Sequence, residues 1–446
     1  MSVSDRKMPN PSRKSLQPSR KNKCKISDTA NSGRGSRGDK KPETSTLEAE
    51  HRRKGDEEKE EREEEKKEAG LAACQQRLLN CFRDAFYEHH GNNEDKSNSN
   101  SNVEVVAEKI QKVKQHLYHR EFDAAFGKAE FREVYALRWS AGRAIGYLRI
   151  FERVLGERLR LRLRSRLRVG IREVCGAAED GEGGVKGMKR DELCKIVCLG
   201  GGGGAELVAL AGLLAKCASE SKNDLLLGEE HHRVPSATST RADESVRFHV
   251  NIVDIADWSL VIDQLKAAIT SPPVLPAYAS ASRQASETAR PLVKESHFEP
   301  HFQQHDLLSN VESPAVKVDI QEAWLVTIMF AMNELCHASF AKAHGLLSWL
   351  TANTRSGCLL LIVDSPGSYS SLTLKDGERK YPMRFYLDYA LLGYKELKNN
   401  GGKKSNSPAW RRLVCEESTW LRNSKELEYP IPLEDMRVQI HLYEKE

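Results

Sequence analysis

Three absences narrow what this chain can do. No apolar run is long enough to span a membrane and no secretory h-region is present, so the composition points to an intracellular protein without membrane contact. The ten cysteines form no CxxC pair. Most sit in apolar stretches, as Cys74, Cys81, Cys198, Cys217, Cys336 and Cys358 do, a pattern of buried reduced thiols that argues against disulfides and against zinc or another metal. The one dense glycine tract, Gly200 to Gly204, runs into Ala205-Glu206 where a P-loop has Gly-Lys-Ser/Thr, which excludes the usual triphosphate cradle.

What is present divides into three parts. With 446 residues, 39% hydrophobic and 30% charged, the chain can bury one substantial core but not along its whole length. The shortfall lies at the start. Residues 1–45 are rich in Ser, Lys, Arg, Gly and Pro, and Glu48 to Glu68 is a near-continuous run of mixed charge, so residues 1–70 are expected to be a disordered charged tail. Within that tail, Arg20-Lys21-Asn22-Lys23-Cys24-Lys25 and Arg34-Gly35-Ser36-Arg37-Gly38 read as a nuclear-import signal, a loose RNA-binding arm or a plain solvated segment. A net charge of +5 is too small to choose among these.

Residues 71–190 are expected to be a helical region with a basic tract. Leu71, Cys74, Leu78, Cys81, Phe82 and Phe86 recur at helical spacing, and Val105, Ile110, Val113, Leu117 and Tyr118 do so after an Asn/Ser loop, which suits a small bundle packed on a larger domain. The tract Arg158-Leu159-Arg160-Leu161-Arg162-Leu163-Arg164 alternates as an edge strand does, while its flanks fit a helix; either way it is expected to face guanidinium groups outward, toward RNA phosphates or solvent. Arg138, Trp139, Arg143 and Tyr147 combine cations with flat rings of the kind that stack on splayed RNA bases, and equally fit a helical core.

The third part, residues 191–446, carries the chemistry. Ile196 to Leu199 reads as a buried strand, Gly200, Gly202 and Gly204 as a GxGxG turn where backbone approaches a ligand, and Ala205 onward as a helix. A second strand, Val250 to Val253, ends in Asp254, placed to accept the ribose hydroxyls of an adenosine. The spacing from the glycines far exceeds the usual ~20 residues, and the polar stretch 219–245 accounts for it as a surface insertion. Further strands at 298–304, 323–330 and 358–363 end in Asp306-Leu307, Asn333-Glu334 and Asp364. The segments 410–415 and 436–443 close the chain as a hairpin or adjacent strands. Five strand-helix units with a strand-rich end favour an α/β fold, a class I Rossmann-like sheet of the S-adenosylmethionine (SAM) methyltransferase type, over a hydride-transfer enzyme.

The block Cys198 to Ala209, the strand end Val253 to Trp258, Met332-Asn333-Glu334-Leu335, Val363 to Tyr369, Tyr381-Pro382-Met383 and Met436 to Tyr443 resemble the fungal large-subunit rRNA (uridine-N(3))-methyltransferase family. The likeness runs from about Leu78 to the C-terminus and takes in Phe122 to Gly127 and Arg138 to Tyr147. It implies SAM as cofactor, ribosomal RNA or a preribosomal particle as partner, and a place in the nucleus (nucleolus) or the cytoplasm. One departure stands out. The acid common two residues before the first glycine in class I enzymes is Cys198 here, which makes Glu206 a candidate for the contact to the methionine half. Cofactor binding is then expected at Gly200, Gly202, Gly204, Glu206, Asp254, Ile255, Asp306 and Leu307. N-3 of uracil is a poor nucleophile until its proton leaves, so a base or anion-stabilising donors are needed. Asn333 is expected to bond the base edge and Glu334 to take the proton, with Asp364 the second candidate base and Tyr369 a stacking partner. A protein or small-molecule methyltransferase, or a non-catalytic SAM-binding adaptor, would keep the same cofactor crevice.

Overall fold

Five strands form in parallel: β1 (Cys194–Leu199), β2 (Phe248–Asp254), β3 (Phe298–Gln304), β4 (Leu325–Met329) and β5 (Leu359–Asp364). The closing segments form two longer strands, β6 (Trp410–Leu421) and β7 (Met436–Lys445), which pair antiparallel with each other, while β7 also pairs antiparallel with β5. The sheet order is β3-β2-β1-β4-β5-β7-β6. Because the chain winds outward from β1 in both directions, the loops after β1 and β4 diverge and open a crevice at their carboxyl ends. This computed structural model describes residues 69–87, 99–174, 194–228, 247–273, 280–282, 289–310, 313–366, 372–373, 380–393 and 408–446. The tail expected at 1–70 lies almost wholly outside them.

Side chains alternate across the central strands. On β1, Ile196 and Cys198 face one apolar cluster and Val197 and Leu199 the other; on β5, Leu359, Leu361 and Val363 face the first and Leu360 and Ile362 the second. Both faces are covered, which explains why these strands read as unbroken apolar runs. The first cluster is shared with the N-terminal helices. Leu78, Phe82, Phe86, Ile145, Leu148 and Phe151 are fully buried against Leu207, Leu210, Phe248 and Ile440, so the helical region completes the core of the sheet. Among the described residues no helix is long and apolar enough to cross a membrane.

Three expectations change. The arginine tract lies within one helix, α1 (Ala141–Val174), where a 3.6-residue turn sets Arg158 and Arg160 on different sides of the axis. Arg158 bonds Glu444 at 3.0 Å and Arg160 bonds Glu220 at 2.7 Å, so these two guanidiniums tie the helix to its neighbours instead of facing outward. The insertion expected from 219 begins later, because the helix after the glycines, α2 (Ala205–Gly228), continues past Glu220; residues 229–245 lie outside those described. In the helix Ser99–Tyr118 the buried stripe is Val106 and Val113, with Val105 and Tyr118 exposed.

Since Phe151 has no exposed surface and packs where helix meets sheet, Phe151→Ala is expected to cost about 3–5 kcal/mol. In urea, tryptophan fluorescence and far-ultraviolet dichroism should lose signal in one coincident transition. Two separated transitions would show that the helical region folds independently of the sheet.

Candidate functional site

The glycine turn is shaped by what packs on it. Gly200 and Gly204 have φ of +80° and +77°, the left-handed region that a side chain disfavours. The Gly200 amide donates to Val253 O at 2.8 Å and the Gly204 amide to Gly201 O at 3.0 Å, which closes the turn. At Gly202 the constraint is different: a Cβ there would overlap the indole of Trp258, a residue only 2% exposed. The lack of a Cβ at 202 therefore makes room for Trp258. Around that indole stand Phe126, with ring centroids 5.1 Å apart, and Tyr135, 5.6 Å away, and Tyr135 also lies on Gly203. An aromatic cap contributed by the N-terminal helices thus covers one side of the loop.

Carboxyl groups lie around the same turn. Asp254 accepts from the Gly202 amide at 3.0 Å and from the Ala256 amide at 3.2 Å. Burial raises its pKa more than these donors lower it, and the Trp258 indole N–H, near enough to help, completes no hydrogen bond. Glu206, 2% exposed, accepts a 2.6 Å bond from the Thr327 hydroxyl, and burial pushes its pKa up to about 8. Thr327 pairs with Cys198 in the β1–β4 register, so Glu206 turns back toward the sheet beneath Gly201. That placement buries the Glu206 carboxylate under the loop. Ile255, next to Asp254, is 63% exposed and apolar. The Asp306 carboxylate accepts from the Leu308 and Ser309 amides, bonds that outweigh burial and hold its pKa below the ordinary value, while Leu307 is buried. The His305 amide donates to Asp254 O at 2.7 Å, joining the tips of β2 and β3.

At the tips of β4 and β5 the expected residues separate into two groups. Asn333 donates its amide N–H to Asp364 Oδ2 at 2.9 Å and its side-chain Nδ2 to Asp364 Oδ1 at 2.6 Å. Burial raises the Asp364 pKa to about 6 against those donors and the Ser365 amide. Glu334 goes elsewhere. Its carboxylate, 46% exposed, pairs with Arg120 at 2.8 Å, a partner 214 positions distant that sequence spacing does not reveal. Between β4 and this motif, Phe330 has φ of +56° and is flanked by the Arg143 guanidinium at 5.1 Å and the Tyr147 ring at 6.2 Å. Tyr147, offered above as a base-stacking ring, is buried. Tyr369 lies outside the described residues. Trp258, Tyr135, Thr327 and Phe330 were missed as site residues; the single hydroxyl inside the apolar run of β4 was the one available sign of Thr327.

No group of three or more potential metal ligands occurs among the described residues. A positive-φ glycine turn after β1, an acid at the tip of β2, and five parallel strands closed by an antiparallel pair define a class I Rossmann-like methyltransferase fold. The chain belongs to the family described as "Putative SAM-dependent methyltransferase", whose model matches residues 82–444, and SAM is its cofactor. It is 30% identical over 374 residues to the 25S rRNA (uridine(2843)-N(3))-methyltransferase of Saccharomyces cerevisiae, covering 83% of this chain and 85% of that one. Solved structures with a likeness include an O-methyltransferase family 2 protein from Planctomyces limnophilus, 13% identical with TM-score 0.26, covering 66% of this chain and 62% of that one. A SAM-dependent methyltransferase from Methanosarcina mazei is 9% identical with TM-score 0.26, covering 58% and 94%. The fold is read from the strand order, not from these two.

Glu206 sets a pH dependence of stability. Its carboxyl holds a proton up to about pH 8 when folded but releases it near its ordinary pKa of 4.5 when unfolded, so the unfolded state binds fewer protons in between. Stability conferred below pH 4.5 is therefore lost as pH rises toward 8, by at most about 1.4 kcal/mol per pH unit. Glu206→Gln keeps the shape of the neutral acid and removes this loss. Urea midpoints should favour the variant over the parent increasingly from pH 5 to pH 8; a constant difference would show that Glu206 does not titrate abnormally.

Proposed function

We propose that this protein transfers the methyl group of SAM to N-3 of a uridine in large-subunit ribosomal RNA. The observation that carries this reading is the match, along most of both chains, to a yeast enzyme named for that reaction. The Asn333–Asp364 clamp supports it with a buried acid beside an amide at adjacent strand tips, a fit to a planar base edge.

In this reading the turn carrying Gly200, Gly202 and Gly204 would hold SAM, Asp254 would accept from its ribose hydroxyls, the exposed side chain of Ile255 would pack on its adenine, and Asp306 and Leu307 would meet the adenine edge. SAM supplies a methyl group already activated by its sulfonium. What remains for the protein is to align the acceptor, exclude water and remove the N-3 proton. Asp364 takes that proton. A pKa of about 6 leaves it ionised at neutral pH yet more basic than an ordinary aspartate, and Asn333 fixes its orientation. Glu334, held by Arg120, is reassigned from proton acceptor to a brace for the turn around Arg120.

Asp254→Ala is expected to weaken S-adenosylhomocysteine (SAH) binding by the ~1.5–3 kcal/mol typical of a bond to a charged group, and calorimetry showing unchanged affinity would remove Asp254 from the site. For catalysis, methyl transfer should rise with pH through about 6 and then level off, because Asp364 must be ionised to accept the proton. Asp364→Asn is expected to lower turnover by ~10²–10⁴ while SAH affinity stays unchanged, and Glu334→Gln to leave turnover nearly intact. The decisive assay supplies tritiated SAM with separated large-subunit RNA, protein and small-molecule fractions. Label at uridine N-3 in the RNA is the expected result. Label in protein or a small molecule, or in none of the three, would replace this function with one of the alternatives.

A further inference from the structure

Among the described residues Arg143 presents a cation with no carboxylate bonded to it. It sits in the first turn of α1, just after the π-helical turn Ala136–Ser140, and is only partly buried although its neighbours on both sides are fully so. Irregular turns of this kind commonly mark functional positions, because they re-aim the side chains that flank them. Here the flanking residues are Tyr135 and Arg143. The Tyr135 ring rests on Gly203, its hydroxyl accepts from Arg143 Nη1, and the guanidinium lies 5.6 Å from the Tyr135 ring and 5.1 Å from the Phe330 ring. Arg143 therefore bridges the glycine turn after β1 and the tip of β4.

A guanidinium carries five N–H donors and never gives up its charge. Among the described residues Arg143 makes one side-chain hydrogen bond, to a neutral phenol, and no salt bridge. Asp364, an acid whose charge it feels, already accepts from Asn333 and Ser365. Taking a cation partly out of water without a bonded anion is unfavourable, and such a site gains from an anionic oxygen. Tyr147 and Tyr135 fix the surrounding rings, so the donors cannot simply swing out to solvent without losing two ring contacts.

We infer that Arg143, braced by the Tyr135 hydroxyl, is the site that binds the methionine carboxylate of SAM. Two anions belong to the chemistry proposed for this crevice: that carboxylate, which is permanently charged, and a deprotonated acceptor base, which exists only during turnover. A cation desolvated in the resting protein answers to the permanent one. The methionine end of SAM also carries an ammonium, which Arg143 repels, so one residue orients a zwitterion. The assignment also resolves the departure at Cys198. Where a class I enzyme has an acid at that position, this chain holds the methionine half by its carboxylate instead, and Glu206 is free to lie under the loop.

The test is calorimetry on the full chain with two probes, SAH and its decarboxylated analogue, without any RNA. It rests on the SAM-binding fold and stands apart from the identity of the acceptor, so failure of the rRNA assay would leave it untouched. Wild-type protein should bind SAH at least tenfold more tightly than the analogue. Arg143→Met should weaken SAH by roughly tenfold to a hundredfold, as expected for loss of a charge-assisted bond, and leave the analogue unchanged, so that the two affinities converge. Arg143→Lys should restore part of the difference. Tyr135→Phe, which keeps the ring on Gly203 but removes the hydroxyl, should give an intermediate loss confined to SAH, and it carries the test should Arg143→Met fail to fold. Equal loss for both probes, or unchanged SAH affinity with reduced turnover, would overturn the assignment; the second result would place Arg143 on the acceptor base.

Discussion

Three carboxyl groups gathered beneath one edge of the sheet impose the most demanding constraint in this structure. Glu206, Asp254 and Asp364 are each displaced upward in pKa by burial, and each follows a different strand-helix junction. Removing a carboxylate from water is unfavourable by several kcal/mol unless donors or a proton compensate. The local backbone supplies the donors. Gly202 turns its amide to Asp254, Asn333 turns amide and side chain to Asp364, and Thr327 offers Glu206 a hydroxyl from inside β4. The tips of β1 and β2 and the tips of β4 and β5 are cross-tied by these bonds, so the crevice between them has a fixed shape.

The N-terminal helices supply the low-polarity side of that arrangement. Phe126 and Tyr135 pack their rings on Trp258 over the glycine turn, with Trp139 against Tyr135, while Phe82, Leu148 and Phe151 bury the same sheet face lower down. Without this cover, water would reach the loop and the acids beneath it would titrate near their ordinary values. The helical region is thus both core and a cover for the glycine turn. That dual role explains why the chain buries aromatic residues so far upstream of its glycine turn.

Much of the fold is legible in the sequence because it depends on local period and on which faces are buried. The apolar runs at β1, β4 and β5 identify central strands, and Gly200 and Gly204 identify a turn that needs positive φ. Strand ends are found for the same reason, so Asp254, Asn333 and Asp364 come out together at one edge. Side-chain direction is another matter. Glu206 lies one residue into a helix and turns under the loop because Thr327 waits across the sheet, and Glu334 turns away because Arg120 lies on a distant helix-ending turn. Neither partner is near in sequence. The alternating arginines mislead for a related reason, since a period of two is overridden when Leu159 is buried in a continuous helix whose first turns pack on the sheet.

Donor number is what sets these acids apart from one another. Glu206 has one bond, from a neutral hydroxyl, and its pKa climbs to about 8. Asp364 has four donors from Asn333 and Ser365, and under comparable burial it stops at about 6. Near neutral pH the first therefore holds a proton and the second releases it. A protonated acid beneath the glycine turn adds no negative charge to attract a cation there, while an ionised one beside Asn333 can accept a proton from an acceptor base. The same residue chemistry thus yields a more basic acid at one strand tip and a less basic one two strands away, and the difference is written in which neighbouring N–H and O–H groups each can reach.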